Sequence, residues 1–229
     1  MTSGCPSLGP MTWPAVGEVA ATTLLALPLG STEQHGPHLP VSTDTMVAVA
    51  LAERLATARA DVIVAPPMPY GSSGEHAPFP GTLSIGQTAL ELVVVELIRS
   101  ADAFAGVVVV SAHGGNAEPL GRATATLVGE GRRVLAWSPR PTTPTDAHAG
   151  RTETSLMLAL APATVRVDAA AAGNRRPIGE LVGALRAGGV AAVSANGVLG
   201  DPEGASRQEG LGLLDAWAAD LVSRVEAWA

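Results

Sequence analysis

The chain has 229 residues, a length that fits one domain able to bury a large core. Apolar residues make up 47% and charged residues only 15%, which excludes a disordered chain. The net charge is −7 and all 14 basic residues are arginines, so we expect no nucleic-acid partner.

The N-terminal segment, residues 1–20, contains three prolines and lacks the basic start and apolar stretch of a signal peptide. It predicts a flexible arm, followed by a single domain over residues 21–229. The apolar runs are far shorter than the ~20 residues that a membrane-spanning helix needs, so no membrane contact is expected. Cys5 is the only cysteine, which indicates a reducing compartment, and we expect a cytoplasmic protein.

Strand and helix signals alternate along the next part of the chain. Short apolar runs predict strands at 23–29, 62–65, 106–112 and 133–137. Helical spacing predicts helices from Asp44 to about residue 58 and over 87–104, 116–129 and 152–160, with Asp44 as one N-cap and Thr152 or Thr154 as another. This alternation, with a β-branched run typical of a strand buried on both faces, predicts an α/β fold with a parallel sheet.

Two regions are less regular. Residues 66–86 form a long predicted loop, which within a compact domain is usually functional, and we expect it over the active site. After Pro162 the chain is rich in small residues, and helices are predicted at 178–187 and 203–228. The last of these has an apolar stripe that predicts core packing.

Polar residues that could bind a ligand or take part in catalysis follow the predicted strands. His35 and His113 come directly after two of them, and His148 precedes a helix. Loops at the carboxyl ends of parallel strands converge on one edge of the sheet, where ligands bind. Glu33 and His35 are two residues apart, so an extended backbone directs both side chains to the same side.

Four candidate metal ligands result: Glu33, His35, Asp44 and His113. Two carboxylates and two imidazoles suit zinc, iron(II) or manganese, and no thiolate is present to form a closed structural site. A hydrolytic metal centre is the favoured interpretation. The alternative is that these residues only form a polar loop, cap a helix and fill core positions, without any metal.

The segment DAHAGRTETS adds His148 and Glu153. His148 is a candidate proton donor to a leaving nitrogen, and Glu153 is either a metal ligand or a first-turn acid stabilised by the helix dipole. His76 and His38 are each a substrate contact or a structural histidine. Gly114 and Gly115 would let backbone N–H groups approach a bound carbonyl, or simply form a turn.

Five blocks, GSTEQHGPHLP with STDT, GEHAPFPGTLSIG, SAHGGN, HAGRTETS and NGVLGDP, occur in this order between residues 29 and 202. Together they resemble the creatininase family of metal-dependent amidohydrolases. The resemblance implies a three-layer α/β/α fold around a mainly parallel sheet, two divalent metal ions per chain, and a homo-oligomer, a hexamer or an octamer. It places Glu33, His35, Asp44 and His113 at ligand positions, with Asp44 bridging the metals.

Two positions depart from creatininase itself. Creatininase has a glutamate two residues after the histidine that matches His113, whereas this chain has Gly115, as in the HGGN members of the family. Glu153 is the candidate replacement ligand. The tryptophan that covers the substrate in creatininase is missing before His148, which argues against creatinine as the substrate.

Within the family, the stretch GSSGEHAPFPGTLSIG is most similar to peptidases that need iron(II) and zinc and cut a modified precursor peptide before a C-terminal, cross-linked Val-Tyr pair. The resemblance implies this peptide as the substrate. Our mechanistic hypothesis then places His76, Gly114 and Gly115 at the substrate and assigns His148 to catalysis as the proton donor. One alternative is a family hydrolase acting on a small cyclic amide or a formamide. Another is a non-catalytic binding or scaffold module.

Overall fold

A four-stranded parallel sheet lies at the centre of the structure, a computed structural model that describes residues 6–140 and 143–229. The strand order is β2-β1-β3-β4, and each neighbouring pair is parallel. In chain order the strands are β1 (Leu24–Leu29), β2 (Val62–Val64), β3 (Gly106–Ser111) and β4 (Val134–Trp137). All four therefore end at the same edge of the sheet.

Helices cover both faces of this sheet. In the described part of the chain they are α1 (Trp13–Val19), α2 (Thr43–Ala58), α3 (Gly86–Arg99), α4 (Ala117–Gly129), α5 (Arg151–Leu160), α6 (Ile178–Gly188) and α7 (Arg207–Trp228). Helices α2, α5 and α7 share one apolar core with the sheet, while α3 and α4 share the other. The expected three-layer α/β/α fold is confirmed.

The buried strands explain why the sequence shows no alternation of polar and apolar residues. Leu25 and Leu27 of β1 belong to the core beneath α3 and α4, whereas Leu24 and Ala26 belong to the core beneath α2 and α7. Every residue of β1 and β3 is buried. A strand covered on both faces must be apolar throughout, as these two are.

Most predicted elements agree with the structure to within one or two residues, but two helices are shorter than expected. Helix α3 ends at Arg99 rather than residue 104, and α7 begins at Arg207 rather than residue 203. The start of α7 is set by Ser206, whose hydroxyl accepts a hydrogen bond from the Glu209 N–H.

The predicted helix caps are wrong. Ser42 is the N-cap of α2, so Asp44 lies in the first turn, and its carboxylate points toward two histidines instead. Gly150 is the N-cap of α5, and the Thr154 hydroxyl donates back to the Gly150 carbonyl. In α2 tertiary contacts of the Asp44 carboxylate replace the local capping that sequence spacing suggests, whereas in α5 the Thr154 hydroxyl donates to a local backbone carbonyl and caps no N–H.

Part of the predicted N-terminal arm carries regular structure. The Val64 N–H donates to the Pro6 carbonyl and the Leu8 N–H donates to the Val64 carbonyl, so this segment lies along β2. Helix α1 follows it. The division into an arm and one domain stays a prediction, and residues 1–5 lie outside the described residues. None of the described helices is long and apolar enough to cross a membrane.

Candidate metal centre

The predicted site residues meet at the carboxyl edge of the sheet. Glu33 and His35 follow β1, His113 follows β3, and the segment after β4 brings in His148 and Glu153 at the start of α5. Asp44 reaches the same place from the first turn of α2. His76 comes from the predicted long loop after β2, which lies over the site as expected.

These side chains surround a cavity of about 1040 Å³. Its wall includes Glu33, Asp44, His76, His113, His148 and Glu153, together with both glycines of the HGGN motif. The carboxylate of Glu33 and the ring of His35 are fully buried, and the other histidines at the site are nearly so. The side chains are therefore held in a largely dry environment, where electrostatic interactions are strong.

Asp44 lies between two histidines and presents one carboxylate oxygen to each. Its Oδ1 is 3.2 Å from Nε2 of His35, and its Oδ2 is 3.2 Å from Nδ1 of His113. The Ser31 hydroxyl donates to Oδ2 over 2.7 Å and fixes the orientation of the carboxylate. Each carboxylate oxygen of Asp44 thus lies beside one imidazole of the cluster.

The backbone orients both of these imidazoles. Nδ1 of His35 lies 3.1 Å from the Glu33 carbonyl, and Nε2 of His113 lies 3.0 Å from the Ser72 carbonyl. A carbonyl only accepts, so each of these nitrogens carries the proton. When the ring is neutral, its other nitrogen presents a lone pair toward Asp44, as in metal-ligating histidines whose second nitrogen is held by a carbonyl.

The Glu33 carboxylate is buried with no hydrogen-bond partner among the described residues for either oxygen. Ring nitrogens of His113 and His76 nevertheless lie 3.2 and 3.3 Å from its Oε1, outside hydrogen-bond geometry. Buried charged oxygens are costly unless they are paired or coordinate a metal. A buried carboxylate without a partner, with imidazole nitrogens beside it, indicates a cation position.

The pKa values at the site show how strongly it attracts positive charge. Burial favours the neutral form of His35, but Asp44, Glu153 and Glu33 outweigh this effect and raise its pKa to about 10. Burial is likewise outweighed at Glu33, where His113 lowers the pKa to about 2. In the absence of a cation, protons on the imidazoles balance the carboxylates, and a metal ion can supply that positive charge instead.

Glu153 lies beside His35, on the side of Asp44 away from His113, and supplies a carboxylate there. Its Oε2 lies 3.9 Å from Nε2 of His35 and accepts a hydrogen bond from the Ala149 N–H over 2.5 Å. Burial, with Asp44 and Glu33 nearby, raises the Glu153 pKa to about 7 against the opposing effect of His35. Glu153 and His35 form a potential ligand group together with His148.

Sequence reasoning missed Glu75. Its carboxylate occupies the space into which a side chain at position 115 would project, because a Cβ on Gly115 would collide with Glu75, His113 and the Ser72 carbonyl. Glu75 Oε1 lies 3.7 Å from Nε2 of His113, the nitrogen that already donates to Ser72. Glu75 thus stands behind the His113 ring and belongs to none of the potential ligand groups found among the described residues.

The remaining predicted residues have distinct surroundings. A Cβ on Gly114 would meet no atom within 4 Å, so its backbone is open to the cavity. His76 is buried and reaches Glu33, so it is part of the cluster itself. His38 is buried away from the cavity wall and its Nε2 lies 2.9 Å from the Thr154 hydroxyl, which gives it a structural role.

The side chains fit divalent metals. Three potential ligand groups, each with atoms within 4.8 Å of one another, consist of Glu33, His76 and His148; His35, His148 and Glu153; and Glu33, His35 and Asp44. All of the potential ligand atoms are carboxylate oxygens or imidazole nitrogens, a combination that suits zinc, iron(II) or manganese. The Glu33 oxygens, which have no partner among the described residues, and the position of Asp44 between two imidazoles also fit bound metal ions.

Comparison with known proteins identifies the family of this chain. The family model for creatininase, described as creatinine amidohydrolase, matches residues 10–225. The mycofactocin precursor peptide peptidase of Mycolicibacterium smegmatis is 47% identical over 211 residues, which cover 90% of this chain and 85% of that protein. The peptidase of the same name from Mycobacterium tuberculosis is 46% identical and covers 94% and 93%.

Solved structures show the same fold. The structure of a mutant creatininase, type II, superposes with a TM-score of 0.82 at 26% sequence identity and covers 96% of this chain and 98% of its own. The similarity therefore extends over the full α/β/α arrangement.

Proposed function

Because this chain belongs to the creatininase family, we propose that it is a metal-dependent hydrolase of peptide bonds that acts on the mycofactocin precursor peptide. The cut releases the modified, Val-Tyr-derived dipeptide from the C-terminus of that peptide. The observation that carries the proposal is the Asp44 carboxylate, which faces one histidine with each oxygen beside a cavity of about 1040 Å³. A cavity of this size accepts the end of a peptide.

Two divalent ions, iron(II) and zinc or in their place manganese, would be held around Asp44. Glu33 and His113 stand on one side of it and His35 and Glu153 on the other. When bound, the pair of ions lowers the pKa of a water molecule and polarises the scissile carbonyl. The protein supplies the fixed orientation of each ligand through the carbonyls of Glu33 and Ser72 and the Ser31 hydroxyl.

His148 is the residue proposed to move the proton. Burial, together with the neighbouring His35 and His76, holds its pKa well below the usual value, so the ring is neutral. A neutral ring accepts a proton from the attacking water and passes it to the departing amine as the C–N bond breaks. Backbone N–H groups at Gly114 and Gly115 would contact the substrate carbonyl, and His76 shapes the same wall.

The deciding experiment compares zinc- and iron-loaded protein with chelator-treated protein, each incubated with the cross-linked precursor peptide. We expect release of the C-terminal dipeptide, detected by mass spectrometry, only from the metal-loaded protein. Activity should return when metal is restored to the chelator-treated protein. An uncut peptide in the presence of two bound metals per chain would contradict the proposed substrate.

Matched assays with creatinine, other small cyclic amides and formamides separate the alternatives. Turnover of one of them in place of the peptide would assign another amidohydrolase activity to the same site. Binding without any turnover would indicate a scaffold module. We also expect a homo-oligomer, a hexamer or an octamer, which light scattering on the metal-loaded protein tests directly.

A further inference from the structure

Gln34 stands between two potential ligands in the chain, and its buried amide contacts two histidines of the site. We propose that Gln34 is a positioning residue that sets the polarity of these rings. It holds His76 with a proton on the nitrogen facing Glu33, and it holds His148 with a lone pair facing the same carboxylate. The assignment of protons is independent of the substrate, while its effect on catalysis rests on the proposed function.

The orientation of the Gln34 amide follows from two backbone contacts. The Gly36 N–H lies 2.8 Å from Oε1 and can only donate, so this atom is the carbonyl oxygen. On the other side, the Gly197 carbonyl lies 3.1 Å from Nε2 and can only accept. The amide group is thereby fixed, and one of its two N–H protons is used by Gly197.

The backbone of Gln34 determines the tautomer of His148. Nε2 of His148 is 2.8 Å from the Gln34 carbonyl oxygen, which only accepts, so this nitrogen carries the proton. The Gln34 side-chain nitrogen, 3.1 Å from the same atom, therefore donates elsewhere. In the neutral ring Nδ1 then has the lone pair, and it lies 3.9 Å from Oε1 of Glu33.

The second amide proton of Gln34 determines the tautomer of His76. It is directed to Nδ1 of His76 over 2.8 Å, so that nitrogen accepts and the ring proton lies on Nε2. A doubly protonated ring would place an N–H against an N–H, so the geometry admits only the neutral ring. The protonated Nε2 lies 3.3 Å from Oε1 of Glu33.

The two rings consequently have opposite roles at one carboxylate. His148 presents an acceptor, as a ligand or a proton-accepting group requires, whereas His76 presents a donor. Although the atoms of His76, Glu33 and His148 are close enough to hold a metal, a nitrogen that carries a proton cannot ligate one. His76 is thus assigned to keep an N–H on the Glu33 side, available to negative charge that develops on the substrate, and not to bind metal.

This arrangement gives the NGVLGDP motif a function. Gly197 has a φ of +79°, and a Cβ at this position would collide with the Gln34 amide. A glycine there lets the backbone approach closely enough for its carbonyl to hold the amide nitrogen. The motif therefore supports the site from behind, through Gln34.

The test is the tautomeric state of His76 in zinc-loaded protein, read from ¹⁵N–¹H NMR of labelled histidine and assigned with His76→Asn. We expect Nε2–H for His76 in the unaltered protein. In Gln34→Glu the carboxylate cannot donate, so His76 should switch to Nδ1–H while His148, held by the backbone carbonyl, stays unchanged. We expect kcat for the peptide to fall ~100-fold, with little change in KM or zinc content.

Two further variants keep the test decisive. Gln34→Met removes both amide donors at nearly the same side-chain size and replaces Gln34→Glu if that variant fails to fold. In Gln34→Met we expect His76 to have no fixed tautomer. Gln208→Glu makes the same change at an exposed position of α7 and should alter neither spectrum nor activity. A His76 ring protonated on Nδ1 in the unaltered protein, or loss of one zinc in His76→Asn, would overturn the inference even if the peptide is cut.

Discussion

At the scale of single residues, two features define the site: histidine rings held by backbone carbonyls, and the Glu33 carboxylate, which has no hydrogen-bond partner among the described residues. His35, His113 and His148 each give one nitrogen to a backbone carbonyl, so the other nitrogen of each ring faces the carboxylates and offers a lone pair to a metal when the ring is neutral. Both oxygens of Glu33 stay unpartnered among the described residues. Such an arrangement costs stability unless a cation is bound, which is why we assign the centre to metals.

Replacement of Asp44, the carboxylate proposed to bridge the metals, tests this assignment. In Asp44→Asn one oxygen and the negative charge are lost, so the two metals can no longer share the side chain. We expect metal content to fall from two ions to one or fewer per chain. Turnover should fall by more than the roughly 100-fold typical of changes to residues that only support a ligand. Metal analysis and peptide cleavage measure both effects.

The control for this change is Asp168→Asn, at an exposed carboxylate outside the cavity. It removes the same charge and should leave metal content and turnover unchanged. Full activity of Asp44→Asn with two bound metals would refute the bridging role. Loss of both properties in the control as well would show a general effect of charge.

At the scale of elements, the sequence predicted those features that depend on local pattern. The buried strands were found because apolar runs such as that of β3 need no knowledge of their neighbours, and Glu33, His35 and His113 were found because they directly follow strands. The helix caps and the contacts of Gln34 were missed. They depend on loops that are far apart in the chain, as in the bond between Gln34 and Gly197.

The start of α5 illustrates how a missed residue positions the site. The Asp146 carboxylate accepts hydrogen bonds from the N–H of Thr152 over 2.8 Å and from its hydroxyl over 2.5 Å. It therefore performs the capping that spacing assigned to the threonines. His148 precedes this helix and Glu153 lies in its first turn, so the cap holds both relative to His35.

We expect Asp146→Ala to release the first turn of α5. Loss of a capping side chain costs about 1 kcal/mol of unfolding free energy, which lowers the melting temperature by ~2–4 °C in a chain of this length. Because Glu153 is carried by the same turn, zinc affinity should also decrease. Thermal unfolding and zinc titration measure the two effects, and Asp168→Ala is the matched control. An unchanged zinc affinity would separate the cap from the metal centre.

At the scale of the whole molecule, charge is distributed unevenly around the cavity. Most of the acidic residues on its wall lie around the histidines of the metal centre, while two arginines, Arg140 and Arg186, also line the cavity. Most other arginines form ion pairs, such as Arg54 with Asp215, but these two have none within residues 6–140 and 143–229. Exposed guanidinium groups beside a cavity can donate to peptide carbonyls and carboxylates.

Arg186 projects from α6, whose residues Ile178, Val182 and Leu185 also line the cavity. Helix α6 contacts the Gly74–His76 turn, but Arg186 itself forms no ion pair with a residue of the metal centre within residues 6–140 and 143–229. Its contribution to peptide binding should therefore be the same in the ground state and the transition state. Arg186→Ala should therefore raise KM for the peptide about five- to tenfold, equivalent to about 1 kcal/mol, and leave kcat unchanged. Arg186→Glu should raise it further.

The control is Arg224→Ala, which removes an exposed arginine of α7 that lies outside the cavity. It removes one positive charge, as Arg186→Ala does. An equal rise in KM in both variants would therefore mean that the effect is one of long-range electrostatics. A fall in kcat with loss of metal in Arg186→Ala would instead mean that α6 supports the centre. If KM rises in Arg186→Ala but not in Arg224→Ala, and the metal content is unchanged, the peptide lies along the α6 wall of the cavity.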